Sequence, residues 1–414
     1  MSLIKPFRGL RPVAGRSDDV AAPPYDVVDR GEAKALAEGR PWSFLHISRP
    51  EIDLPDSTGP YDPAVYAKGR ENLDRMIAEG VLGRDETPSY YAYRLTMGSH
   101  VQTGLVATAS VEAYEQGRIK KHEFTRPVKE DDRVRQIDTL NAQTGPVFLV
   151  YRADAVVDDI LRQVTAVAAE VDVTVARDGV RHELWRIADP GLIGQLTAAF
   201  DAMDAIYVAD GHHRSAAGSR VGNARREANP GHRGDESYNH FLSVIFPHDQ
   251  MQILDYNRVV RDLNGLSKED FLARVGEVFD LELSNGPVKP VRSGEYGMYL
   301  EGQWYRLTIH DERVPADDPV ARLDVSLLQD NLIAPILGID DPRRDDRIDF
   351  VGGIRGLEGL EKRVDQQGWV VAFSLYPTSM QALMDVADAG EVMPPKSTWF
   401  EPKLADGLVS HVLD

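Results

Sequence analysis

The chain has 414 residues, 42% of them apolar, with 66 acidic against 47 basic side chains, a formal net charge of −19 and no cysteine. That length leaves room for two or three domains with sizeable cores, the missing cysteines exclude disulfides, thiolate nucleophiles and cysteine-based zinc sites, and the acidity repels phosphate backbones, which disfavours nucleic acid as a partner. No run of about 18 apolar residues occurs, and the opening MSLIKPFRGLRP has no apolar segment of secretory-signal length, so a cytoplasmic protein without membrane contact is expected.

Taken in chain order, AAPPYDVVD (residues 21–29) and PWSFLHISRPEIDLP (residues 41–55) carry prolines that forbid long helices. Tyr25 and Asp26 read either as part of a rigid surface turn or as ligand-facing groups. His46 falls in a strand-like run as a core histidine, and Arg49 and Glu51 flank Pro50 as an ion pair. Leu73, Met76 and Ile77 give helical spacing over residues 66–80, and residues 89–95 and 101–111 alternate as two strands around the Gly98-Ser99 turn. Val134, Ile137 and Leu140 mark a helix over 129–140, ended by Gly145-Pro146. A buried strand at 147–151, a helix at 156–168, a hairpin of 173–176 with 182–187 across Asp178-Gly179, and a helix at 191–203 follow. Farther on come a strand at 253–256, a hairpin turning at Glu301-Gly302, a helix over 320–337, a strand at 369–375 and a helix over 379–389. The spacing predicts an α+β chain in four parts: a loop-rich α+β region (1–113), a central core (114–258), a C-terminal α+β domain (259–390) and an extended tail packed on another domain (391–414).

The stretch IYVADGHHRSAAG, from Ile206, carries the chemistry. A strand ending at Gly211 and yielding to a helix near His213 gathers unpaired backbone N–H groups and a positive dipole end, which attracts anions. Gly211 permits close approach, and His212, His213 and Arg214 can donate hydrogen bonds to a phosphate. Asp210 stands beside them as a Mg²⁺ anchor or an acid/base. The rival reading makes Asp210 a helix cap and the histidines partners of nearby carbonyls. A second polar cluster, GRIKKHEFTRPVKEDDRVRQ (residues 117–136), places His122 and Glu123 just ahead of another helix. HEFTR has Arg126 where the H-E-x-x-H zinc signature needs its second histidine. Neither G-x-x-x-x-G-K-[ST], G-x-G-x-x-G nor G-x-S-x-G occurs. Lys396 in the tail and Asn257-Arg258 are further residues able to reach a phosphate.

An HE element followed by a helix containing Asp132-Arg133-Val134, with a later strand ending in DGHHR, resembles the ParB/sulfiredoxin-like nucleotide-binding fold, and within it the free serine kinases. Through PFRGLRP, AAPPYDV, KKHEFTRPVKEDDR, QTGPVFLVY, YVADGHHR and MPPKSTWFEPKL, nearly the whole chain is similar to the bacterial "domain of unknown function" family number 1015. The kinase resemblance implies Glu123 as general base, with His122 and Asp210 as further catalytic residues. It implies Gly211, His212, His213 and Arg214 as the phosphate cradle, Mg²⁺ at Asp210, and Arg133 near phosphate or a substrate carboxylate. The expected activity is Mg²⁺-dependent transfer of a phosphate from ATP or ADP to a small hydroxylated acceptor such as free serine. Two other readings are a nucleotide-binding regulator without group transfer and a ParB-like DNA binder or nuclease. The first needs no general base, and the net charge disfavours the second.

Overall fold

The computed structural model describes residues 2–175 and 177–414. Ala176, at the end of the expected strand over 173–176, lies outside the described residues. The fold is α+β, in two compact units: Met1–Met251 with Pro402–Asp414, and Gln252–Glu401.

The first unit is built on a mixed nine-stranded sheet. Tyr90–Met97 and His100–Ser110 form the expected hairpin about Gly98, whose φ of 59° suits glycine. His100–Ser110 pairs on its other edge with His240–Pro247, and Tyr90–Met97 pairs with Arg181–Ile187. The sheet therefore runs across the boundary expected at residue 113, because proline and glycine punctuation marks where elements end and says nothing about which strands share a sheet. Val147–Tyr151 and His240–Pro247 are buried along their whole length, which requires cover on both faces. Val147, Leu149 and Tyr151 join one core with Val157, Ile160 and Leu161 of the helix Ala155–Val164 and Leu196 and Phe200 of Pro190–Ala202. Elsewhere Ile137 of the helix Pro127–Leu140 meets Ala217 and Val221 of the helix His212–Ala228. A smaller four-stranded sheet joins Gly9–Pro12, Leu82–Arg84, Ala142–Gln143 and Ser410–Val412, so the end of the chain is a working part of this unit.

The helix His212–Ala228 sits close to its neighbours through small residues. A Cβ on Gly222 would lie 2.6 Å from the backbone oxygen of Tyr238, which cannot swing aside as a side chain could. Gly222→Ala gains about 1 kcal/mol of helix propensity but forces an overpacked contact costing typically about 1–3 kcal/mol. A lowered melting temperature is expected, and a raised one would show that the helix shifts freely.

The second unit holds a six-stranded antiparallel sheet in the order Phe279–Ser284, Gln303–Ile309, Glu295–Leu300, Val371–Leu375, Tyr256–Val260, Ile348–Gly352. Its hairpin turns at Glu301 and Gly302, both at positive φ (48° and 78°), as a two-residue turn matched to strand twist requires. The helix expected over 320–337 is instead the short helix Asp324–Leu328 followed by a π turn, Gln329–Ile333, in which Ala334 N donates to Gln329 O. Pro335 has no N–H to continue an α ladder, and apolar periodicity does not register that loss. His46, in the first unit, lies in the helix Leu45–Ser48 rather than a strand and is only partly buried, its Nδ1 2.9 Å from Asp53. Arg49 and Glu51 do pair, at 2.8 Å. Among the described residues no helix is long and apolar enough to cross a membrane.

Candidate functional site

The strand Ile206–Asp210 ends one residue before Gly211, whose φ of 93° turns the chain straight into the helix His212–Ala228. No side chain caps that helix. Asp210 accepts a hydrogen bond from Gly211 N at 2.7 Å, outside the helix, so it does not act as the N-cap that the rival reading made of it. The dipole end and the first-turn N–H groups are thus left for another acceptor.

Ile119–Lys120 pairs in parallel with Ile206–Tyr207. Parallel neighbours leave a sheet at the same end, so the residues after each strand, His122-Glu123 and Asp210 to Arg214, are delivered side by side although 87 residues separate Glu123 from Asp210. The His122 and His212 rings meet edge to face, 4.5 Å between centroids, and Glu123 Oε2 lies 3.7 Å from His212 Nδ1. His213 Nε2 accepts from Arg126 N at 3.0 Å, which places its proton on Nδ1. Burial lowers His122 to about 4 and His212 well below the ordinary value, so both imidazoles are neutral near pH 7 and the contact with Glu123 is not an ion pair. Buried His122 Nδ1 and His212 Nε2 have no hydrogen-bond partner among the described residues, and buried polar atoms in that state call for water or ligand. Glu123 itself is exposed, 48% at its side chain, and so open to a substrate.

Around this loop lies a ring of charge. Arg214 donates to Pro146 O at 2.5 Å and lies 3.6 Å from Asp26 and 3.9 Å from Asp210. Arg133 grips Asp132 at 2.6 Å beneath the Tyr25 ring, 3.9 Å from its centroid, and Tyr66 donates to the same carboxylate. Lys403 Nζ lies 3.0 Å from Asp210 Oδ2. Burial pushes Asp210 up, but Lys403 and Arg214 more than offset it and hold its carboxyl below the ordinary range. The contrary case is Asp406: burial and Asp26 raise it to about 7 against the pull of Arg214. Tyr25, Arg133, Arg214 and Asp406 line a narrow cavity of about 30 Å³ together with Ser48 and Gln143, whose buried Oγ and Nε2 also lack partners among the described residues. That is room for about one water.

His122, Glu123, Arg133 and Asp210 to Arg214 are therefore gathered in one unit, Arg133 beside Arg214 on the cavity wall. Lys396, the tail lysine singled out from sequence, is elsewhere: it belongs to the second unit, its Nζ 5.5 Å from the Tyr256 ring. Asn257 and Arg258 likewise serve that unit, Asn257 accepting from Leu375 N and Arg258 donating to Lys396 O. Lys403 and Asp406 were missed, since nothing in an aperiodic tail distinguishes them from its other charges. The carboxylate expected to anchor Mg²⁺, Asp210, already has protein partners. Both its oxygens are engaged, one by Gly211 N and the other by Lys403, and no group of three or more histidine or acidic residues among those described could hold a metal. These residues form no preassembled Mg²⁺ cage, and a Mg²⁺ on Asp210 would need the nucleotide's own phosphates as ligands.

A family profile matches residues 4–326. The chain belongs to this family, described as "Protein of unknown function (DUF1015)". None of the curated proteins matches the chain. Among solved structures it is similar to a free serine kinase in complex with AMP (14% identity, 73% of this chain and 92% of that one, TM-score 0.34). It is also similar to a conserved hypothetical protein from Pyrococcus furiosus (12%, 76% and 97%, 0.35) and to SbnI with a C-terminal truncation from Staphylococcus aureus (11%, 73% and 86%, 0.39). Scores at this level carry no weight for function, so the reading of this DUF1015 protein rests on its own residues.

Proposed function

We propose that the unit containing Gly211 binds a nucleotide, ATP or ADP, by its phosphates and transfers one phosphate to the hydroxyl of a small acceptor, free serine being one candidate. The observation that carries this reading is the meeting of an exposed carboxylate, Glu123, with an uncapped helix N-terminus, 3.7 Å from its first residue His212. Phosphoryl transfer asks for little else: donors and cations to hold charge, and one base for the acceptor's proton. In the proposed step the acceptor oxygen forms a bond to phosphorus as its proton passes to Glu123. The bond from phosphorus to the bridging oxygen breaks, and the nucleotide leaves one phosphate shorter. Arg214 and the backbone N–H groups after Gly211 hold the departing phosphate's charge. Any Mg²⁺ would arrive with the nucleotide, and no step here is routed through it. A regulator that binds nucleotide without transfer differs in needing nothing from Glu123.

The test is to incubate the protein with a nucleotide panel and an amino-acid pool and to search for a phosphorylated product by mass spectrometry, alongside calorimetry of nucleotide binding. Gly211→Val serves as the matched control. Valine at φ 93° is strained by about 1–3 kcal/mol, and its Cβ would sit 3.0 Å from Arg214 Nε, so the cradle is distorted while the sheet remains. Affinity is expected to fall by about tenfold or more as aligned donors are lost. Unchanged affinity would return the loop to a structural role, and binding without product in the parent would favour the regulator.

A further inference from the structure

The pairing of Asp210 with a lysine points to what balances its charge. We infer that Lys403, brought in by the chain's final segment, is the resident counter-cation of Asp210 and a phosphate-binding residue of the site, so that nucleotide binding here does not depend on a divalent metal held by the protein. The inference rests on the nucleotide reading above and adds to it a residue outside the 4–326 region matched by the family profile.

Three observations carry it. The first is placement: Lys403 Nζ lies 3.0 Å from the Asp210 carboxylate, one residue before Gly211, and Arg214 flanks the same carboxylate at 3.9 Å, so two cations bracket the uncapped helix end. The second is access, because the Lys403 side chain keeps 20% of its surface and Asp210 33%, which leaves the pair reachable by an incoming phosphate. The third is that the segment is fixed before any ligand arrives. Ala405 N donates to Tyr93 Oη at 3.2 Å, the Asp406 backbone exchanges hydrogen bonds with Ala22, and His411 pairs with both Gly9 and Gln143. A lysine held in this way needs little reordering on binding.

Charge explains why the residue is needed. Asp210 stands where the phosphate's negative charge would come to rest, and two like charges at that separation repel unless a cation lies between them. Lys403 supplies that cation as a point charge able to contact both carboxylate and phosphate, a role lysine fills in other phosphate sites. Were Asp210 a metal anchor, its Oδ2 would have to share its charge between the metal and Lys403.

The experiment is calorimetric titration with ADP, in Mg²⁺ and in EDTA, of the parent and of Lys403→Met, Lys403→Arg and the double variant Lys403→Met/Asp210→Asn, each checked by thermal melting. The parent should bind ADP within about threefold in the two media, and Lys403→Met should lose about tenfold or more in EDTA with part of the loss regained in Mg²⁺, since the vacated Asp210 oxygen can then take the metal. Lys403→Arg should retain most of the affinity. The double variant leaves no unpaired charge, so it guards against misfolding of the single one, and it should bind ADP in EDTA better than Lys403→Met does. Parent binding that is abolished by EDTA, or Lys403→Met binding like the parent in EDTA, overturns the inference and leaves the nucleotide reading standing. No ADP binding by the parent in either medium overturns both.

Discussion

Replacing Glu123 by Gln is expected to lower turnover by at least about 10²-fold, within the roughly 10²- to 10⁴-fold range of general-base contributions, while nucleotide affinity stays close to that of the parent. Gln keeps the shape and hydrogen-bonding reach of the side chain and removes only its basicity. Glu123 is suited to the role because it is exposed and its near neighbour His212 is neutral. Steady-state rates with saturating acceptor and calorimetry with ADP measure the two halves separately. Equal turnover in both proteins would remove Glu123 from the reaction. Asp210 would be a poor substitute, since Lys403 and Arg214 hold its proton affinity down. A protein with no turnover in either form, still binding nucleotide, would be the regulator.

The second large effect concerns stability against pH. Asp406 is 2% exposed, and its carboxyl rises from the ordinary 3.8 to about 7 in the fold, through burial first and Asp26 in addition. A raised folded value means that the protonated form is the one the fold tolerates. Its contribution is fully present below about pH 4 and is lost as pH climbs through about 7, amounting to on the order of 4 kcal/mol. Asp406→Asn keeps an acceptor for Tyr25 N, which donates to Asp406 at 3.2 Å, and cannot ionise. Its stability advantage over the parent should therefore be near zero at pH 4, grow between pH 4 and 7, and level off above. Urea unfolding of both proteins at several pH values reads this difference directly. The difference is the right quantity because buried His122, His182 and His411, each lowered to about 4, act in the opposite sense in both proteins, losing stability as pH falls from 6.5. A difference that stays flat with pH would mean that Asp406 is ionised throughout, its charge met by Arg214.

Much of the fold is legible locally. Alternation on either side of Gly98-Ser99 and of Glu301-Gly302 is enough for two hairpins, because strand period and turn chemistry are contained within a few residues. Ile206 to Gly211 likewise reads as strand, glycine, helix, since a β-branched run, a positive-φ glycine and an alanine-rich start each carry their own preference. Local reading fails where the deciding term is not periodic. The missing N–H of Pro335 interrupts an apolar rhythm that looks continuous, and the run around His46 curls into a short helix despite its strand-like residues.

The sequence by itself determined which residue types stand at the element ends: Gly211 with its neighbours, Glu123 and Arg133 are legible there without any tertiary contact. Only the tertiary structure decided which charges meet. The parallel pairing of Ile119–Lys120 with Ile206–Tyr207 brings Glu123 to His212, and the pairing of Ser410–Val412 with Gly9–Pro12 and Ala142–Gln143 selects Lys403 over Lys396 as the partner of Asp210. The physical reason is that helix and strand preferences act over a few residues, whereas a buried charge is satisfied by whatever the sheet pairing brings beside it, here 193 residues farther along the chain.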